Sequence, residues 1–236
     1  MSRAEELRAG LSQVQERIER AALAADRDPD GIGLVVVTKF FPASDVRILA
    51  DLGVTDVGEN RHQEAEAKAA ECADLDLRWH YVGGLQSNKA GAVARYADVV
   101  ESVDRAKLVA RLDRGAAERE PGRDPVVEVL LQVSLDPPDR DGRAGLDPAD
   151  LGALADAVEG ADHLRLAGLM AVAPLGEDPA AAFARLAEVR SGFVHDHPSA
   201  DVLSAGMSGD LEQAVACGAT HVRVGSAILG SRPSVH

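Results

Sequence analysis

Short apolar runs alternate with helical segments eight times along the chain. The clearest runs are residues 33–39 and 126–133, where valine and leucine follow one another almost without interruption. Near-continuous apolar strands of this kind are typical of parallel sheets that are buried on both faces. Strands that alternate with helices are joined by crossovers, so they run parallel. The alternation therefore predicts an α/β protein built around an eight-stranded parallel sheet.

Eight strand–helix units in 236 residues fit a single (β/α)8 TIM barrel, near the lower end of the usual size of that fold. The predicted strands cover residues 33–39, 56–59, 78–83, 99–103, 126–133, 164–172, 202–205 and 221–225. The predicted helices cover residues 42–53, 61–73, 88–96, 105–118, 148–158, 179–195 and 210–217, and residues 136–145 form a loop. A doubly wound open sheet is the alternative, but no GxGxxG dinucleotide motif follows the first strand. We expect one domain over residues 1–236.

An amphipathic helix precedes the first strand. Its apolar residues recur at spacings of three and four: Leu7, Leu11, Val14, Ile18 and Ala22. This spacing places them on one face of a helix. The residues after the eighth predicted strand are too few for a full eighth helix. We therefore expect the extra N-terminal helix to fill that place or to cover the barrel.

Composition excludes several classes of function. The formal net charge of −14 argues against a basic surface for nucleic acid. Cys72 and Cys217 are the only cysteines and form no CxxC motif, and the seven histidines show no metal-ligand spacing. Charged residues are spread through the N-terminal segment, and no window reaches the apolar length of a membrane span. We predict a soluble, cytoplasmic protein with no membrane or nucleic-acid partner.

Candidate functional residues are those at the carboxyl ends of the predicted strands, because active sites of this fold lie there. These residues are Lys39, Glu59, Asn60, His80, Gly83, Gly84, Asp104, Met170, Ser204, Met207, Ser208, Arg223, Gly225 and Ser226.

Lys39 directly follows an apolar strand and would lie at the mouth of a largely apolar barrel. Removal from water disfavours the charged ammonium, and a neutral amine is what Schiff-base formation requires. The alternative is an ordinary lysine at a strand end, with its ammonium reaching into solvent.

Residues 204–210 and 223–226 place glycine and serine at the start of two helical segments. Loops after the seventh and eighth strands of TIM barrels frequently bind phosphate, and helix N-termini favour anions. The alternative is ordinary helix capping, with Ser208 as the N-cap and with Asp210 and Glu212 in the first turn.

Arg223 stands between Val222 and Val224, which predicts a charge that faces the interior of the barrel. A buried arginine needs a partner. An internal carboxylate such as Glu59 and a ligand atom are both candidates, and the residues alone do not choose between them.

Six motifs carry a family resemblance. In chain order they are residues 36–39 (VVTK), 58–60 (GEN), 80–89 (HYVGGLQSNK), 168–170 (GLM), 206–210 (GMSGD) and 223–230 (RVGSAILG). Together they resemble the YggS/PROSC family of pyridoxal 5′-phosphate (PLP) homeostasis proteins. The chain departs from that pattern in two places. Gly84 stands where proline is common, and residues 143–145 (RAG) stand where a lysine-containing turn is common.

The resemblance implies a barrel like that of the alanine racemase N-terminal domain, with PLP bound to Lys39 as a Schiff base. It places the phosphate on Ser208, Gly225 and Ser226, and Asn60 beside the cofactor. It places Arg223 against the pyridine nitrogen. A guanidinium only donates hydrogen bonds, so it would keep that nitrogen unprotonated and make the ring a weaker electron sink. The predicted cofactor-binding residues are Lys39, Asn60, Met207, Ser208, Arg223, Gly225 and Ser226.

The resemblance favours a monomeric PLP-holding protein of intracellular PLP and amino-acid homeostasis, without catalysis of its own. Its partners would be PLP-dependent apoenzymes or PLP-producing enzymes. The alternative is an amino-acid racemase with weak activity. A two-base racemase needs a second acid–base group, and neither Tyr81 nor Tyr96 lies at an obvious strand end. A third class is a barrel that binds another phosphorylated metabolite.

Overall fold

Eight parallel strands close into a barrel in the computed structural model, which describes residues 1–120, 122–136 and 145–231. Each strand pairs with the next along the chain, and the eighth pairs with the first. The strands are β1 (Gly33–Val37), β2 (Asp56–Glu59), β3 (Arg78–Tyr81), β4 (Val99–Val103), β5 (Val127–Gln132), β6 (Leu164–Met170), β7 (Val202–Ser204) and β8 (His221–Val224). The predicted TIM barrel is confirmed, and the doubly wound alternative is wrong.

The helices follow the predicted alternation. They are α1 (Arg3–Ala24), α2 (Ala43–Asp51), α3 (His62–Glu71), α4 (Ala90–Tyr96), α5 (Ala106–Ala117), α6 (Leu151–Glu159), α7 (Pro179–Asp196), α8 (Leu211–Ala216) and α9 (Ser226–Leu229). Strands β1, β3 and β6 end two residues earlier than predicted, and Lys39, Val82 and Val172, which follow these ends, line the mouth of the barrel. Residues 137–144 of the predicted loop, including part of its RAG turn, lie outside the described residues.

Helix α1 occupies the place of an eighth barrel helix. A capping box starts it: the Ser2 hydroxyl accepts from the backbone of Glu5, and the Glu5 carboxylate accepts from the backbone of Ser2. Its predicted apolar residues are buried, and it packs against α2, α8 and α9. A Cβ at Gly10 would lie 2.6 Å from the carbonyl oxygen of Ile228, so the glycine permits this close packing. The predicted role of the N-terminal helix is confirmed.

Gly168, part of the GLM motif, serves the packing of strands. Its φ is +153°, and a Cβ there would lie 1.9 Å from the Val202 carbonyl oxygen of β7. The β5–β6 register also shifts between Val129 and Leu130, which pairs with Gly168. A motif glycine is thus explained by the sheet itself, without a ligand. In the ranges described, no helix is both long and apolar enough to cross a membrane.

Candidate functional site: a cavity at the mouth of the barrel

A cavity of about 410 Å³ opens at the carboxyl ends of the strands. All seven residues predicted to bind a cofactor line it: Lys39, Asn60, Met207, Ser208, Arg223, Gly225 and Ser226. The other lining residues are Val37, Val82, Met170, Val172 and Gly209. The fold therefore gathers residues from both ends of the sequence around one space with apolar walls and a few polar groups.

A second cavity, of about 450 Å³, lies at the opposite end of the barrel. Carboxylates dominate its lining: Asp56, Asp76, Asp98, Asp124 and Glu128. The cavity at the carboxyl ends instead combines an amine, two hydroxyls and a guanidinium, and TIM-barrel enzymes place their active sites at that end. We therefore take the first cavity as the candidate site.

Lys39 lies in the loop between β1 and α2, two residues beyond the end of the strand. The side chain is half-buried, and within the described parts of the chain its Nζ has no hydrogen-bond or ion-pair partner. The amine lies 5.9 Å from the centroid of the Phe40 ring. Such an amine is available to react with a ligand in the cavity.

The backbone around Lys39 is strained and held by hydrogen bonds. Phe40 has a φ of +72°, a conformation that costs a bulky residue about 1–3 kcal/mol. Its N–H donates to Glu64 Oε1 at 2.5 Å, and Lys68 Nζ donates to the Thr38 carbonyl oxygen at 3.0 Å. These contacts fix the peptide on both sides of the lysine.

Glu59 and Lys68 form a buried ion pair behind this loop, with 2.5 Å between Oε1 and Nζ. The Thr38 hydroxyl donates to the same Glu59 oxygen at 2.6 Å. Burial raises the pKa of Glu59, and the charge and hydrogen bond of Lys68 oppose that change. The suggestion that Glu59 pairs with Arg223 is therefore wrong. Sequence reasoning missed Lys68, although Glu64 and Lys68 have the i,i+4 spacing of a helical ion pair.

Asn60 reaches the cavity because residue 83 has no side chain. A Cβ at Gly83 would lie 1.9 Å from Asn60 Oδ1 and 2.2 Å from its carbonyl oxygen. A Cβ at Gly84 would meet nothing within 4 Å. The departure from the family pattern at Gly84 thus falls where the structure has room, whereas Gly83 is required by close packing.

Two serine hydroxyls form the polar side of the cavity. Ser208 Oγ and Ser226 Oγ lie 3.2 Å apart. Helix α8 begins at Leu211 with Asp210 as its N-cap, so the alternative that Ser208 caps it is wrong. Helices α8 and α9 have six and four residues, so their dipoles are small. The available donors are the two hydroxyls and the N–H groups that open α9, which have no partner within the helix.

Arg223 forms the floor of the cavity and is 5% exposed. Its guanidinium donates to Ser204 Oγ at 2.6 Å and to the Ala171 carbonyl oxygen at 2.9 Å. The carboxylate partner is Glu101, at 3.6 Å. Burial lowers the pKa of Arg223, the charge of Glu101 opposes that change, and a guanidinium stays charged at neutral pH. The prediction of an inward-facing arginine is confirmed, with a partner that the sequence did not indicate.

His80 lies inside the barrel instead of at its mouth. Its ring nitrogens are 2.8 Å from Glu101 Oε1 and 2.9 Å from Asp56 Oδ1. Burial disfavours the imidazolium, but the hydrogen bonds and charges of Asp56 and Glu101 outweigh it and raise the pKa of His80 to about 9. Burial alone would raise the pKa of Glu101, yet the hydrogen bond from His80 and the charge of Arg223 lower it to about 2. The strand-end criterion was wrong for His80.

We expect the stability of the cofactor-free protein to fall as the pH rises from 6.5 to 9. The pKa of His80 is about 9 in the folded protein and 6.5 in the unfolded chain. The protonated ring therefore stabilises the fold fully below pH 6.5, and this contribution is lost as the pH rises through about 9. The contribution of His80 is up to about 3 kcal/mol. Urea unfolding at both pH values measures it. The charged or titratable groups around the ring are Asp56, Glu101, Arg78 and His221.

Two histidine variants separate this effect from other titrations. His80→Gln should remove most of the fall in stability, whereas His195→Gln, at an exposed position, should retain it. An equal fall in the His80 variant and in the wild type would contradict the assignment.

The two tyrosines weighed for the racemase alternative lie away from the cavity. Tyr81 and Tyr96 are buried, and neither lines the cavity. His197 is also buried and lies 3.0 Å from Glu159 Oε1. Over the described ranges, no cluster of His, Cys, Asp and Glu could hold a metal ion.

Comparisons with known proteins agree with this geometry. The alanine racemase N-terminal domain family matches residues 10–233. The pyridoxal phosphate homeostasis protein of Pseudomonas aeruginosa is 43% identical over 222 residues, 94% of each chain. The chain belongs to the pyridoxal phosphate homeostasis proteins, within the alanine racemase N-terminal domain family. The resemblance drawn from the six motifs is confirmed.

Two solved structures have folds similar to that of this chain. PipY of Synechococcus elongatus, a structure with PLP bound, is 40% identical and has a TM-score of 0.76 over 91% of this chain and all of its own. An alanine racemase of Clostridium difficile has a TM-score of 0.71 at 13% identity and covers 98% of this chain and 58% of its own. The second likeness shows the barrel fold alone.

Proposed function

We propose that this chain binds PLP as a Schiff base on Lys39 and holds it for other proteins, as a single-domain, monomeric participant in intracellular PLP and amino-acid homeostasis. One observation carries the proposal: a single cavity holds a lysine amine, two serine hydroxyls and a buried guanidinium between apolar walls. The name of the Pseudomonas aeruginosa relative and the PLP in the PipY structure support it. The expected partners are PLP-dependent apoenzymes or PLP-producing enzymes.

The residues of the cavity suit the chemical parts of PLP. The Lys39 amine would bond to the aldehyde carbon, and the hydroxyls of Ser208 and Ser226 would donate to the phosphate. Gly225 lets its backbone pack closely against Val37 at the end of β1, because a Cβ there would lie 2.9 Å from the Val37 carbonyl oxygen. Val82 and the other apolar walls would contact the faces of the ring. Bound PLP supplies an electrophilic carbon and an electron-withdrawing ring.

The ionisable groups of the cavity favour holding over catalysis. Lys39 and Arg223 are the ionisable side chains among the lining residues described. Racemisation needs two acid–base groups on opposite faces of the substrate, and Arg223 is a donor that stays charged. We therefore propose a holding role without established catalysis. The amino-acid racemase with weak activity remains the second candidate, on the strength of the racemase-like barrel.

The test is an absorbance spectrum of the purified protein with added PLP, before and after borohydride reduction, followed by peptide mapping. We expect a visible band that reduction removes, and a pyridoxyl group on the Lys39 peptide. A racemisation assay with alanine, on the PLP-loaded protein before reduction, distinguishes a PLP-holding protein from an enzyme. A colourless protein that takes up no PLP would overturn the proposal and favour another phosphorylated ligand.

A further inference from the structure

A line of buried, hydrogen-bonded groups runs through the barrel interior from the floor of the cavity. Arg223 donates to Ser204 Oγ at 2.6 Å, and this hydroxyl donates to Glu101 Oε2 at 2.6 Å. Glu101 Oε1 lies 2.8 Å from His80 Nδ1. His80 Nε2 lies 2.9 Å from Asp56 Oδ1, at the start of β2 and therefore at the opposite end of the barrel. The line thus joins residues of five different strands, β8, β7, β4, β3 and β2.

Glu101 is the fixed centre of this line. Both of its carboxylate oxygens are occupied, one by His80 and the other by Ser204, and the residue is 1% exposed. It also lies 3.6 Å from Arg223. A carboxylate held from two sides has one orientation, so it offers its charge to the guanidinium from a fixed place. Glu101 does not line the cavity itself.

The charges along the line alternate at neutral pH. Arg223 is positive and Glu101 negative, while the pKa of His80, raised to about 9, keeps the ring positive beside Asp56. A buried charge without a partner is strongly destabilising, and a guanidinium without fixed acceptors is free to turn. Glu101 supplies the buried carboxylate that faces Arg223.

We propose that Glu101 is a positioning residue for the PLP site, acting through Ser204 and Arg223. Glu101 holds the guanidinium of Arg223 at the floor of the cavity and places a negative charge on the side of the guanidinium that faces away from the cavity. With PLP bound, its ring would meet a donor, and the carboxylate would influence the ring without touching it. This inference rests on the proposed function, since it concerns the same site.

The test compares Glu101→Gln and Ser204→Ala with the wild type. Glu101→Gln keeps the size of the side chain and removes its charge, and Ser204→Ala removes the bridging hydroxyl and leaves the charges in place. We expect the PLP dissociation constant to rise roughly tenfold in each, as for a lost hydrogen bond to a charged group. In Glu101→Gln we also expect the pH midpoint of the visible band to fall by about one unit, because a negative charge near the site is lost.

Ser102→Ala is the matched control. Ser102 is a buried serine next to Glu101 on β4, and among the described residues its hydroxyl has no hydrogen-bond partner. We expect it to keep the wild-type dissociation constant and pH midpoint. Borohydride trapping on Lys39 should persist in all three variants, since the lysine and its loop are unchanged.

The outcomes separate the two proposals. If the wild-type protein shows no visible band with added PLP, the proposed function is wrong, and the positioning role is wrong with it. A wild-type band with an unchanged dissociation constant and pH midpoint in both Glu101→Gln and Ser204→Ala overturns the positioning role alone. A lower melting temperature in these variants without any change in PLP binding would assign Glu101 to the fold only. If Glu101→Gln does not fold, Ser204→Ala carries the same comparison.

Discussion

Replacing Lys39 with alanine should abolish the visible absorbance of the PLP complex and weaken PLP binding by roughly a hundredfold or more, about 2.8 kcal/mol. The reason is that the proposed bond to the cofactor is covalent, and the other cavity groups offer only hydrogen bonds and apolar contact. Titration of the cofactor-free protein with PLP, followed by absorbance, measures both effects.

Lys89→Ala is the control for this experiment. Lys89 occupies the N-cap position of α4 without a capping hydrogen bond from its side chain, and it does not line the cavity. Its replacement should leave both the visible band and the PLP affinity unchanged. The cofactor-free Lys39→Ala protein should unfold within about 1 kcal/mol of the cofactor-free wild type, as is usual for a half-buried position away from the packed layers. A band of wild-type strength in Lys39→Ala would show that PLP is anchored elsewhere, or that the cavity serves a different phosphorylated ligand.

Replacing Lys68 with methionine should destabilise the protein by about 3–5 kcal/mol, because it leaves the buried Glu59 carboxylate without its counter-charge. For a chain of this size that corresponds to a fall in melting temperature of roughly 6–20 °C. The Thr38 carbonyl oxygen also loses its donor, so the strained turn at Phe40 is less firmly held. We therefore expect weaker PLP binding as well, even though Lys68 does not line the cavity.

Two further variants test the reason. Lys107→Met removes an exposed lysine and should change stability by less than about 0.5 kcal/mol. The double variant Glu59→Gln with Lys68→Met should recover a large part of the lost stability, since it removes the unpaired charge. A double variant as unstable as Lys68→Met alone would contradict the explanation by a buried unpaired carboxylate.

The barrel and the residues of its cavity were accessible from the sequence. The alternation of apolar and amphipathic segments is local, so it predicts the strands, the helices and their parallel arrangement. The rule that active sites lie at strand ends then selected Lys39, Asn60, Ser208 and Arg223 among others. Their roles toward PLP came from the family resemblance, because spacing alone left ordinary alternatives open.

The partners of the buried charges were decided by the tertiary structure alone. Glu101 and Ser204 are 103 positions apart and meet only because β4 and β7 face each other across the barrel. The closure of the barrel also determines that Lys68 pairs with Glu59 and that Arg223 pairs with Glu101. Period-two alternation indicates whether a strand residue faces inward, but not which inward residues lie at the same height. That depends on the tilt and register of all eight strands, which no local pattern of residues records.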